Sequence, residues 1–201
     1  MPQPAAATRD APRDPRAAPP SGRPRRTGWV VALLPAVLAV ALVVAGLVTR
    51  SDRAAEFDAA VVVVDVPDGD QVTGAVTYDR VPPAGGDHAP QWQRCGVYDA
   101  PIPDARAVHS LRRGAVWITY RPGASEDDVA TMSAYAGSPR VLVSPRADLP
   151  APVVVTAWGR QLLLDTPGDR GLGAFVRQFQ QGTTAPEGAL GCASGVTATS
   201  G

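Results

Sequence analysis

Four side chains stand out as able to do chemistry: two histidines and two cysteines, the only ones in 201 residues. His88 follows Gly85-Gly86-Asp87, and His109 sits between Val108 and Ser110. An imidazole beside a carboxylate can shuttle a proton or bind a divalent metal, which makes Asp87, His88 and His109 the candidate polar or metal site. A zinc site normally needs three or four donors, and these are far apart in sequence. The favoured reading is therefore that each histidine hydrogen-bonds loop backbone. No cofactor is expected, and a divalent metal is the alternative. Arg112-Arg113 is a candidate anion contact, with a solvated loop pair as the plainer account. A serine hydrolase is excluded: no Gly-x-Ser-x-Gly turn occurs, and neighbours such as His109 and Ser110 would point apart in a strand. Gly168, Gly171 and Gly173 make no phosphate loop, because no Lys-Ser/Thr follows them.

The cysteines depend on where the domain resides, which the N-terminal third addresses. Residues 1–28 are Pro-, Ala- and Arg-rich, with six Arg against Asp10 and Asp14, a net of +4. Such a segment cannot bury enough apolar surface to offset its ordering entropy, so disorder is expected. Trp29 to Val48 then runs twenty residues without a charge. As a helix this stretch would span about 30 Å, the hydrocarbon thickness of a bilayer. A cleaved signal peptide is the alternative, but its apolar region is usually only about 7–15 residues long. No Cys follows for a lipoprotein anchor. Arg23, Arg25 and Arg26 crowd the N-terminal edge, whereas Arg50 and Arg53 are offset by Asp52 and Glu56, so the N-terminus is expected in the cytoplasm and the bulk outside. Residues 29–48 thus take membrane lipid as partner, and 49–59 form a linker. Outside the cytoplasm thiols oxidise, and Cys192 lies in a Gly-, Ala- and Thr-rich tail that gives it no packing role. A Cys95–Cys192 disulfide follows, two free thiols being the alternative.

The body from Ser51 onward carries twelve Arg against seventeen Asp or Glu, a net of −5. Nucleic acid is therefore excluded as a partner, since phosphate binding needs clustered cations. There is no Lys in the chain. With the abundant Ala, Gly and Pro, this reads as GC-rich coding bias.

The elements that must position the site lie between 60 and 181. Short strands are expected over Ala60–Val66 and Val72–Tyr78, then a Pro- and Gly-rich loop from Val81 to about Pro103. Gly114 to Tyr120 has two apolar faces and reads as an inner strand. Ser125 with Asp128 is a helix-start pattern, followed by Val129 and Met132 on one face, and Gly137 ends that helix. Arg140–Ser144 is a strand, and Val153–Ala157 with Gln161–Asp165 is a hairpin around Trp158-Gly159-Arg160. Pro167 opens a second helix, with Leu172, Phe175, Val176 and Phe179 on one face and Gly182 as its stop. The fold class is α+β: a small mixed or antiparallel sheet with two helices, preceded by one transmembrane helix. The order from Gly114 also fits a thioredoxin-like core without its redox motif, since Pro122-Gly123-Ala124-Ser125 holds no Cys. Residues 182–201 form a tail pinned by Cys192.

Several runs are recognisable. Pro82 to Gln93, Cys95-Gly96-Val97-Tyr98, Val108 to Leu111, Gly114 to Pro122, Val141 to Pro145, Leu149 to Val154 and Ala157-Trp158-Gly159 together resemble an uncharacterised bacterial family, domain of unknown function 3105. The resemblance covers about Val61 to Cys192 and implies one N-terminal membrane helix. In that family His-Ser-Leu usually continues Glu-His-Gly, whereas Arg112-Arg113-Gly114 stands here. Two guanidinium groups would repel a cation, so the resemblance weakens the metal reading for this chain. The function expected is a membrane-anchored extracytoplasmic module, non-enzymatic, acting on an unknown protein or envelope partner. The alternatives are a metal-binding or metal-dependent enzymatic domain at His88 and His109, and a degenerate thioredoxin-like domain.

Overall fold

A computed structural model describes residues 28–199, with side chains from Pro35 onward. Of residues 1–28, expected to be disordered, 1–27 lie outside the described residues and Gly28 opens a helix; the last two residues of the tail lie outside as well. The chain divides into two units between Thr49 and Arg50.

The described part of the first unit is the start of helix α1, Gly28–Ala60. Val37, Leu38, Val40, Leu42 and Val43 on it are all more than 60% exposed. The helix is long and apolar enough to cross a membrane. It tolerates Pro35 near its start, as membrane helices do. Residues 49–59, read from sequence as a linker, are helical too.

The second unit is built on one six-stranded sheet in the order β1-β6-β5-β3-β4-β2. Its strands are β1 Val62–Val63, β2 Gly96–Val97, β3 Val116–Tyr120, β4 Val141–Pro145, β5 Val153–Ala157 and β6 Arg160–Leu164. β4 runs parallel to both β3 and β2, while β3–β5, β5–β6 and β1–β6 are antiparallel, so the sheet is mixed. β3 is an inner strand and all five of its residues are buried. Its side chains alternate between two cores, as the period of a strand requires. Val116, Ile118 and Tyr120 pack with Met132, Leu172, Phe175 and Val176 on one face. Trp117 packs with Ala107, Val108 and Leu111 on the other.

Helices cover both faces. α3, Glu126–Ser133, begins where Ser125 Oγ accepts from the Asp128 amide at 3.1 Å. α4, Arg170–Phe179, begins where Asp169 caps the Gly171 amide and buries the expected Leu172, Phe175, Val176 and Phe179. The order β3–α3–β4–β5–β6–α4 is the one expected from Gly114 onward.

Three local expectations need correction. The first strand shrinks to Val62–Val63 because α1 continues to Ala60, with Phe57 and Val61 packed against the core. No strand forms over Val72–Tyr78; only Gln71 bridges to His88, and the Val72 amide donates to the His88 carbonyl at 2.9 Å. His109 and Ser110 lie in a helix, α2 Asp104–Arg112, that the sequence reading missed altogether.

Candidate functional site

α2 sets the site. Pro103 precedes its first turn with the fixed φ that suits a helix start, and Ala107, Val108 and Leu111 press its inner face onto Trp117. His109 in its last turn faces the loop that carries His88. The two rings meet edge to face with centroids 4.8 Å apart, and Trp92 stands 5.3 Å from His109. Both histidines are buried.

Each imidazole is tied to backbone. His109 Nδ1 lies 2.7 Å from the Ala89 carbonyl oxygen, and His88 Nδ1 lies 3.2 Å from that of Gly86. A carbonyl only accepts, so Nδ1 is the donor in both rings and Nε2 is the bare nitrogen of each neutral ring. Burial lowers the pKa of His109, the Ala89 carbonyl pulls the other way, and the neighbouring His88 adds to the lowering.

A pH dependence follows, and its sign is fixed. The unfolded chain holds the His109 proton to about pH 6.5, the folded chain to a lower pH. Between those two values the unfolded state binds more protons, so stability falls as pH drops through about 6.5 and levels off below the folded value. Urea midpoints measured from about pH 8 down to 5 should show this decline, and His109→Gln should flatten it. A decline equally steep in the variant would assign it to other groups.

Asp87 does not join the histidines. It is exposed, and its Oδ1 accepts from the Asp70 amide at 2.9 Å. Among the described residues, no group of three or more His, Cys, Asp or Glu could hold a metal ion.

Arg112 and Arg113 meet an anion within the chain itself. Both contact the Glu187 carboxylate at 3.3 Å, and Arg112 also reaches Asp68 at 3.4 Å. The Arg113 guanidinium lies 3.9 Å from the Trp92 ring centroid, a cation–π stack. Cys95 and Cys192 are joined, with Cα atoms 5.1 Å apart. The disulfide and Glu187 together hold the tail against α2 and the loop. The Val196 amide donates to the Trp92 carbonyl, the Gly191 amide to that of Arg113 and the Glu187 amide to that of Arg112.

Two glycines make that approach possible. Gly114 (φ +86°) and Gly182 (φ +68°) both sit in the left-handed region, and a Cβ on either would stand 2.2–2.3 Å from the Gly188 carbonyl oxygen.

Sequence reasoning missed the polar residues around this pair. Ser110 Oγ donates to the Gln93 carbonyl at 2.7 Å, and Gln93 Nε2 donates to the Ala198 carbonyl at 3.2 Å. The Gln93 Oε1 and Trp92 Nε1 atoms are buried without a partner among the described residues. Arg146 is clasped between Asp104 at the start of α2 and Asp148. A buried Gln in a loop is a faint sequence signal; nothing local marks Glu187.

Residues 71–194 match the family model DUF3105, a protein of unknown function. The chain belongs to this family. The DUF3105 match takes in both histidines, both cysteines and the two arginines, and leaves α1 outside. No curated protein and no solved structure matches the chain.

Proposed function

We propose that this DUF3105 chain is a single-pass, membrane-tethered module that presents its domain outside the cytoplasm and acts by binding, without catalysis. The observation that carries the reading is the use made of the only two imidazoles. Both are buried, and both spend Nδ1 on loop carbonyls. The cations at the end of the same helix, Arg112 and Arg113, are held by Glu187 and lie over indole rings. Groups so placed fix a loop onto α2. The exposed apolar side chains of α1 support the tether, since lipid removes from water the surface the protein leaves bare. The disulfide agrees with an oxidising compartment.

A second reading has one observation in its favour. The 4.8 Å approach of the rings brings the two imidazoles, each with Nδ1 on a loop carbonyl, into one neighbourhood. A divalent metal there would need a third donor, which the described residues do not place.

Elemental analysis of the purified full chain separates the two. The tethered-module reading expects no stoichiometric metal. Metal at one equivalent that disappears in His88→Ala would establish the second reading instead. Protease added to intact spheroplasts should digest the domain; protection would reverse the orientation.

A further inference from the structure

The last turns of α1 meet β6 and α4 in a cleft of about 510 Å³, lined by both apolar and charged side chains. Phe57 of α1 and Leu162 and Leu164 of β6 form part of its wall. Arg53, Arg170 and Arg177 line it from α1 and α4. None of these three guanidinium groups makes an ion pair or hydrogen bond among the described residues. Arg112, Arg113, Arg121 and Arg146, by contrast, each hydrogen-bond another residue. Two carboxylates line the cleft as well, Glu56 and Asp169, the latter capping the Gly171 amide at 2.6 Å, so the three guanidinium groups leave it with one net positive charge.

We infer that this cleft takes the headgroup of an anionic phospholipid. The phosphodiester sits among the three guanidinium groups, and the glycerol and first acyl carbons lie against Phe57. Arginine suits this role because its planar fork donates to phosphate oxygens in pairs. Chain connectivity supplies the independent argument. Arg53 follows Val48 by five residues. Whatever their conformation, five residues reach at most about 18 Å, so Arg53 cannot leave the vicinity of the bilayer surface. The inference rests on the reading that residues 29–48 sit in lipid.

Native mass spectrometry of the full chain, released from neutral detergent with equimolar phosphatidylglycerol and phosphatidylcholine, tests it. Phosphatidylglycerol should be retained over phosphatidylcholine by at least about fivefold. The variant Arg53→Gln/Arg170→Gln/Arg177→Gln should lose that preference, with Arg53→Gln alone showing part of the loss. Arg94→Gln, exposed and away from the cleft, should keep it. Excess glycerol 3-phosphate should not displace the lipid. Equal retention of the two lipids by the wild type, an unchanged preference in the triple variant, or full displacement by glycerol 3-phosphate each overturns the inference, the last by making this a site for a free phosphate ester. Carbonate extraction of membranes tests the tether separately: a wild-type chain that washes out defeats the anchor, and the lipid preference in detergent still decides the cleft.

Discussion

Removing the Cys95–Cys192 cross-link should cost the domain about 2–4 kcal/mol. The bridge closes a sequence separation of 97 residues. In the chain-entropy model a loop of that size corresponds to about 4.7 kcal/mol, and strain or residual denatured structure usually lowers the realised value. The variant matters. Cys192 is fully buried, so Cys192→Ser would add the cost of an unpartnered hydroxyl to the loss of the link. Cys95→Ala/Cys192→Ala isolates the cross-link better.

The loss should not be confined to global stability. Residues 182–199 are held by the disulfide, by Glu187 on Arg112 and Arg113, and by a few backbone bonds to residues 92–95 and 112–113. Without the link these are contacts at the end of a floppy chain, and the tail should fray first. Urea unfolding of the full chain in detergent, together with amide exchange of residues 185–197, reads both effects. A double variant within about 0.5 kcal/mol of wild type, with unchanged exchange, would mean the tail is held by its other contacts.

The same tail shows what a sequence can and cannot reveal. Local signals were legible wherever the physics is local. Ser125 and Asp128 marked the start of α3 because a cap is a contact three residues long. The apolar face of α4 and the doubly apolar β3 were legible because burial imposes their periods. α2 was not. Its nine residues bury mainly Ala107, Val108 and Leu111, and the remaining positions are polar enough to pass for loop. What makes it a helix face is Trp117, a residue outside it. The site was obscured for the same reason. His88 and His109 are 21 positions apart, and only the placement of α2 brings their rings to 4.8 Å. Glu187 reaches Arg112 and Arg113 across 75 and 74 residues, a separation no local pattern encodes.

Trp117 is accordingly the side chain on which α2 depends most, and Trp117→Ala should destabilise the domain by about 3–5 kcal/mol. It is 1% exposed, and it lies opposite Leu142 on β4 and Thr156 on β5. Its Nε1 donates to Ser144 Oγ at 2.9 Å. Trp117→Phe separates the two contributions. It keeps most of the ring volume but leaves the buried Ser144 hydroxyl without that donor, an expected cost of about 1–3 kcal/mol. The comparison that decides the argument is with Phe175→Ala, of similar expected size, which empties the opposite face of the sheet. Loss of Trp117 should speed amide exchange across Asp104–Arg112 and leave α4 protected, because the apolar face of α2 packs on that side of the sheet and α4 on the other. Loss of Phe175 should do the reverse. If the two variants loosen both helices equally, the two cores unfold as one unit, and the histidine pair owes its geometry to the sheet as a whole and not to the indole beneath it.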